Sequence, residues 1–268
     1  MQARAAVFDL YGDHLARSGY WAPIATVVAL TRACGIQPPA TRTAVSRMVA
    51  QHWLSAHRRH GLRGYAATSV GRERLTRARQ RIYEPGPPSW DRRWHLVVLE
   101  PVADRTRRAR LHASMTYLGY GRLAASSWIS PHGSAELADT LRTLEVRGTD
   151  VLGPSTRDPM DLVQQVWDLA DLARAYTDFT ATVPDRAQAG GLQPEQAYSV
   201  RTLLVHRWRN FMFRDPGLPA EMLPPDWPGH GARRQFLDVA QVLLPATRTF
   251  VDCCLIEAGA PRPIERPT

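Results

Sequence analysis

Residues 38–68 read PPATRTAVSRMVAQHWLSAHRRHGLRGYAAT. Two prolines open the stretch, where a helix accepts them because its first amides have no intrahelical acceptor, and the spacing predicts a helix running to about Gln51. Val45, Met48 and Val49 fall on one face of it, and Arg42, Thr43, Ser46 and Arg47 on the other. Beyond it, residues 53–57 and 65–68 read as two short strands joined by a glycine-punctuated basic loop, residues 58–64. Upstream, apolar spacing predicts helices over residues 7–15 and 23–34, the first broken by Ser18, Gly19 and Tyr20 and the second stopped by Gly35. Helix, turn, helix and hairpin in this order give a winged helix-turn-helix, and a further helix is expected over residues 70–83.

Charge points the same way. Residues 1–83 carry 13 Arg against 3 acids, whereas residues 84–268 carry 21 Arg against 22 acids, so the positive charge of the chain is concentrated in its first third. Such an asymmetry suits a polyanion. Arginine forks onto guanine edges or binds phosphate, and Ser and Thr donate to either, so the polar face of the 38–51 helix has what a major groove accepts. In an isolated helix the same face serves equally as a solvated surface. The hairpin extends the pattern: Arg58, Arg59 and Arg63, with Tyr65, can lie along phosphates or enter a narrow minor groove. Double-stranded DNA is therefore the expected partner. The chain has no Lys, which a GC-rich coding preference explains, and this weakens any argument from one arginine alone.

With 268 residues the chain is long enough for two or three domains. Four breakers in residues 83–91 mark a linker, and residues 84–89 are expected to act as a hinge. After it, strand, helix, two short strands, helix and strand follow between residues 94 and 152, the order of a ferredoxin-like module. Helices then cover residues 159–182, 194–213 and 232–257. The expected fold class is α+β: a winged helix-turn-helix over residues 1–83, a linker over 84–91, a ferredoxin-like domain over 92–155 and a C-terminal α-helical domain over 156–268. Cys34, Cys253 and Cys254 fit neither a disulfide framework nor a zinc cluster. No run approaches the roughly 18 apolar residues expected of a bilayer span, and no secretory leader is legible, so a cytoplasmic protein without a membrane partner is expected.

Several short motifs, taken in order, carry a resemblance. They are Arg-Thr-Ala-Val-Ser-Arg at 42–47, Arg-Ile-Tyr at 81–83 followed by Trp90-Asp91 and Trp94, Leu-Gly-Tyr-Gly at 118–121, and Trp128 with Ser-Pro-His at 130–132. Trp-Asp-Leu at 167–169, Tyr176, Phe179, His-Arg-Trp-Arg at 206–209, Asp215-Pro216, Leu218-Pro219 and Trp-Pro-Gly at 227–229 complete the set. Over nearly its full length the chain resembles the PaaX family of bacterial transcriptional regulators, repressors of phenylacetate degradation and their relatives. The resemblance implies a winged-helix DNA reader, a middle module similar to Cas2, a helical C-terminal domain and a homodimer on an inverted-repeat operator. It also implies a repressor released by an aryl- or acyl-CoA thioester such as phenylacetyl-CoA, with no cofactor.

Two readings stay open for the effector. His206, Arg207 and Arg209 can meet CoA phosphates with Trp208 stacking on a ring, or Arg207 and Arg209 pair with Asp168, Asp171 or Asp215 while Trp208 lies in the core. Two alternatives to an effector-released repressor are a DNA-binding activator without a CoA effector and a metal-dependent nuclease built on the Cas2-like module, for which Glu100 and Asp104 are the nearest carboxylates. The nuclease signal is poor, since two acids of unknown geometry do not make a metal site, and no phosphate loop, zinc motif or nucleophile elbow accompanies them. The expectation is a non-enzyme with neither catalytic residues nor a metal.

Overall fold

A computed structural model describes residues 1–84 and 89–262, and its internal contacts divide the chain into two compact units. One comprises Met1–Glu84, Thr182–Arg209 and the chain from Arg233 onward; the other comprises Pro85–Ala181 and Asn210–Ala232. The segment expected as a C-terminal helical domain, 156–268, is thus shared between the two units. Residues 85–88, the middle of the expected linker and hinge, lie outside the described residues.

In the first unit α1 (Ala3–Asp9) continues into a π-helical turn (Leu10–His14), followed by β1 (Trp21–Pro23), α2 (Ile24–Ala33), α3 (Pro38–Ala50), β2 (Leu54–Arg59), β3 (Leu62–Ala67) and α4 (Ser69–Tyr83). The strands form an antiparallel sheet in the order β1-β3-β2. Strand β1 was not anticipated, because three residues are too few to show a period. Only His60 and Gly61 separate β2 from β3, with φ of 51° and 76°. Two left-handed residues in succession are what a type I′ turn requires, and its twist matches that of the paired strands. The loop expected at 58–64 is therefore mostly ladder, with Arg58 opposite Arg63 and Arg59 opposite Leu62. Gly64 lets β1 approach, since a Cβ there would stand 2.5 Å from the Ala22 carbonyl oxygen and 2.8 Å from the Trp21 ring.

The second unit holds β4 (Trp94–Leu99), α5 (Arg105–Tyr117), β5 (Gly121–Arg122), β6 (Ser127–Ser130), α6 (Leu137–Thr143) and β7 (Gly148–Gly153). The antiparallel sheet runs β5-β6-β4-β7, and Val97, Leu99 and Trp128 from it pack with Leu111, Met115 and Leu137 of the helices. This is the ferredoxin-like arrangement expected from the element order. The helix anticipated over 159–182 is two, α7 (Pro159–Val166) and α8 (Leu169–Ala181), with Asp168 Oδ1 accepting the Asp171 amide at 2.8 Å as a cap between them.

The chain returns to the first unit with α9 (Arg186–Gly190), α10 (Pro194–Arg209) and, from Arg233, most of α11 (Pro228–Glu257). These helices complete the core begun by the N-terminal segment: Tyr198, Val251, Cys254 and Leu255 join Val7, Leu10, Tyr11, Val27, Leu30, Val45 and Leu54 in one cluster. Thr26 Oγ1 donates to the Cys254 carbonyl at 3.0 Å, and Ser199 Oγ to the Ala33 carbonyl at 2.7 Å. Contrary to the sequence expectation, α11 is long and apolar enough to cross a bilayer by length and composition alone, and it is the one such helix among the described residues. Its Phe236, Val239, Leu243, Val251 and Leu255 are buried in the protein. All three cysteines are free; Cys254 is buried, Cys34 half-buried and Cys253 exposed.

Candidate nucleic-acid interface

Helix α3 turns Thr41, Ala44, Val45 and Met48 inward, against α1 and α2. A hydroxyl pair, Thr31 Oγ1 and Thr41 Oγ1 at 2.7 Å, fixes it on α2. Helical geometry then leaves Arg42, Thr43, Ser46 and Arg47 exposed together on the opposite face. Arg42 and Arg47 make no ion pair or side-chain hydrogen bond among the described residues. The β2–β3 hairpin adds a second group. Cross-strand register puts Ala56, Arg58, Arg63 and Tyr65 on one face of the ribbon, with Arg58 and Arg63 directly opposed, exposed and likewise unpaired among the described residues. Two like charges facing each other across a ladder repel, an arrangement that an approaching anion relieves.

Arg59 does not belong to this group. Side chains alternate along a strand, so it projects from the other face, donates to the Ser18 carbonyl at 3.2 Å and lies 5.7 Å from the centroid of the Trp21 ring. A reading of 58–64 as a loop could not separate it from Arg58 and Arg63. Tyr65 is half-buried, and its carbonyl accepts the Tyr11 hydroxyl at 3.0 Å.

The acids of the N-terminal segment make its surface more basic than composition alone conveys. The side chains of two of the three, Asp9 and Asp13, are buried and neutralised from α10. Asp9 Oδ1 stands 2.8 Å from Arg209 Nε, and Asp9 Oδ2 stands 2.8 Å from His206 Nδ1. Asp13 receives Arg201 through both carboxylate oxygens, at 3.0 and 3.1 Å, and the Tyr83 hydroxyl at 2.6 Å. Burial opposes the Asp13 charge, but Arg201, His14 and the Tyr83 hydrogen bond outweigh it and hold the carboxyl at about 2. Glu73, the third acid, pairs with Arg77 on α4.

The same contacts bear on the residues considered for an effector. Trp208 is buried and stacks on Phe236, centroids 4.7 Å apart. His206 and Arg209 face Asp9, whereas Arg207 is exposed. Positions 206 and 209 share a face three residues apart, which directs them to α1. Asp168, Asp171 and Asp215, weighed as their partners, are engaged elsewhere: Asp168 caps α8, Asp171 pairs with Arg174 and Arg214, and Asp215 accepts the Tyr176 hydroxyl. The structural role foreseen for Arg209 is present with another partner, 200 residues away in sequence, which no local pattern announces. Of the two carboxylates considered for metal chemistry, Asp104 accepts the Arg107 amide at 2.6 Å as the cap of α5, and Glu100 is exposed at the end of β4. No group of three or more potential metal ligands occurs among the described residues.

Comparison with known proteins bears on the whole length. Family models described as "PaaX-like protein", "PaaX protein central Cas2-like domain" and "PaaX-like protein C-terminal domain" match residues 2–69, 87–178 and 167–253. The chain is 30% identical over 260 residues to the "Transcriptional repressor PaaX" of Escherichia coli (strain K12), covering 91% of this chain and 81% of that protein. The chain belongs to the PaaX family. A solved structure, the "Uncharacterized protein Rv0674 from Mycobacterium tuberculosis", superposes with a TM-score of 0.60 at 26% identity, over 93% of this chain and 98% of the other. The PaaX match to residues 87–178 makes the ferredoxin-like sheet of the second unit a Cas2-like domain.

Proposed function

We propose that this PaaX-family chain is a DNA-binding transcriptional repressor, not an enzyme, whose first unit is a winged helix-turn-helix with α3 as its reading helix. One observation carries the reading: α3 offers four exposed polar side chains on one face, and the adjoining ribbon offers Arg58 and Arg63, the four arginines of the two groups having no ion pair among the described residues. Arg42, Thr43, Ser46 and Arg47 read base edges in the major groove; Arg58 and Arg63, with Tyr65 beside them, hold the backbone or the minor groove. The protein acts in the cytoplasm as a homodimer on an inverted repeat, its half-sites about one or two helical turns apart. An aryl- or acyl-CoA thioester such as phenylacetyl-CoA releases it, by binding the DNA-free arrangement more tightly. The dimer and the effector rest on the family resemblance.

The test is fluorescence anisotropy on a fragment of the protein's own promoter region and on scrambled DNA of equal length. Arg42→Ala with Arg47→Ala should cost about 1–3 kcal/mol per bidentate guanine contact and abolish the preference for promoter DNA. Arg58→Ala with Arg63→Ala should weaken both DNAs alike and lower the salt slope by about 2. Unchanged discrimination in the first variant would refute α3 as the reader. Phenylacetyl-CoA should release the promoter complex, and its failure would remove the effector without touching the reader.

A further inference from the structure

A cavity of about 320 Å³ lies within the first unit, walled by the π-helical turn, α4, α10 and α11. The use of DNA does not account for it. Arg17, Arg79, Arg201 and Arg248 line it, with Asp13 as the single acid. Arg201 is committed to Asp13 and Tyr83, and Arg17 stands 3.4 Å from Asp252. Arg79, half-exposed, reaches Asp13 only at 3.8 Å, and Arg248 is exposed with no ion pair among the described residues. The lining therefore keeps one to two positive charges unbalanced.

Part of the wall is apolar, with Leu237, Leu244 and Val251 lining the same space beside the polar His14, Tyr83 and Gln241. Into this lining is built Thr247, which is 0% exposed and whose Oγ1 has no hydrogen-bond partner among the described residues. A buried hydroxyl without a partner has given up water for nothing, a loss that a ligand acceptor would recover. The π-helical turn that presents Asp13 and His14 to the cavity is itself a rare geometry, frequent at functional sites.

We propose that this cavity binds a compact organic anion, a carboxylate carried on one ring or a short alkyl chain. The planar guanidinium fork suits a carboxylate, the leucine and valine wall suits the hydrocarbon, and the volume is at the small end of ligand sites. Arg79 and Arg248 meet the charge at the mouth, and the Thr247 hydroxyl donates to the bound acid. The proposal rests on the cavity alone and is tested without DNA, so its failure and that of the operator reading are separate results.

Isothermal titration of the full-length protein with benzoate, phenylacetate and hexanoate should give saturable binding. Benzamide, with the same shape but no charge, should bind at least about tenfold more weakly, and Arg248→Gln should raise the Kd of the acids by about tenfold. Arg248 is an exposed side chain, so that variant keeps the fold. Leu244→Trp should fill the space and abolish binding. The proposal is overturned by an absence of saturable binding for all three acids up to about 10 mM, by equal binding of benzamide, or by an unchanged Kd in both variants.

Discussion

Replacing Arg201 by Met tests how the first unit is held together. The side chain is 4% exposed, as is Asp13, and joins α10 to the π-helical turn 188 residues earlier. Its Nε and one terminal nitrogen meet the two Asp13 oxygens at 3.0 and 3.1 Å, that terminal nitrogen also donates to the Tyr83 hydroxyl at 2.9 Å, and the other donates to the Ala240 carbonyl. Methionine is apolar and of similar length, so little cavity opens and the dominant loss is electrostatic. A charge pair at this distance with a dielectric near 20 is worth about 4 kcal/mol or more, and buried pairs broken on one side cost about 3–5 kcal/mol because the survivor is left unbalanced. We expect Arg201→Met to lower the stability of this unit by about 3–5 kcal/mol, and Arg201→Met with Asp13→Asn to recover about 1–2 kcal/mol by removing the stranded charge. Hydrogen exchange read by mass spectrometry on peptides from α1, α4 and α10 isolates this unit from the other. Protection falling by less than about 1 kcal/mol, or a double variant no more stable than the single one, would refute the reasoning.

Four other outcomes are expected. Burial, against the pull of Asp13, pushes His14 down to about 4 from its ordinary 6.5, so the unfolded chain takes up a proton first, and stability present above about pH 6.5 is lost on the way to pH 4. The gap is worth about 3 kcal/mol, and urea unfolding across this range should show a decline that His14→Gln flattens. Asp13 contributes at lower pH, its stabilisation being lost as pH falls from 3.8 through about 2. Gly64→Ala forces a methyl against the Ala22 carbonyl and should cost about 1–3 kcal/mol and weaken DNA binding through the displaced ribbon; an unchanged melting temperature would count against the β1–β3 register. A fragment of residues 1–84 should lack a cooperative unfolding transition, because Tyr198, Val251 and Leu255 of its core and the partners of Asp9 and Asp13 are then missing; sharp, dispersed amide resonances would contradict this.

Local periodicity determined a good deal by itself. Apolar residues three and four apart placed α2, α3 and α4 within a residue or two, and the strand and helix order between 94 and 152 yielded the topology of the Cas2-like domain, its helices and longer strands showing their own period. The exposed polar face of α3 was legible for the same reason. Arg59 was not, since a one-residue offset on a strand reverses the face and the turn that sets the register is only two residues long. Nor could sequence show that Asp9 and Asp13 are answered by Arg209 and Arg201, that Trp208 closes on Phe236, or that α10 and α11 finish the core begun by the N-terminal helices. Each is a pairing across more than 25 residues, with no repeating pattern to reveal it. Tertiary structure alone decided them, by determining which apolar faces and buried charges find one another when water is excluded.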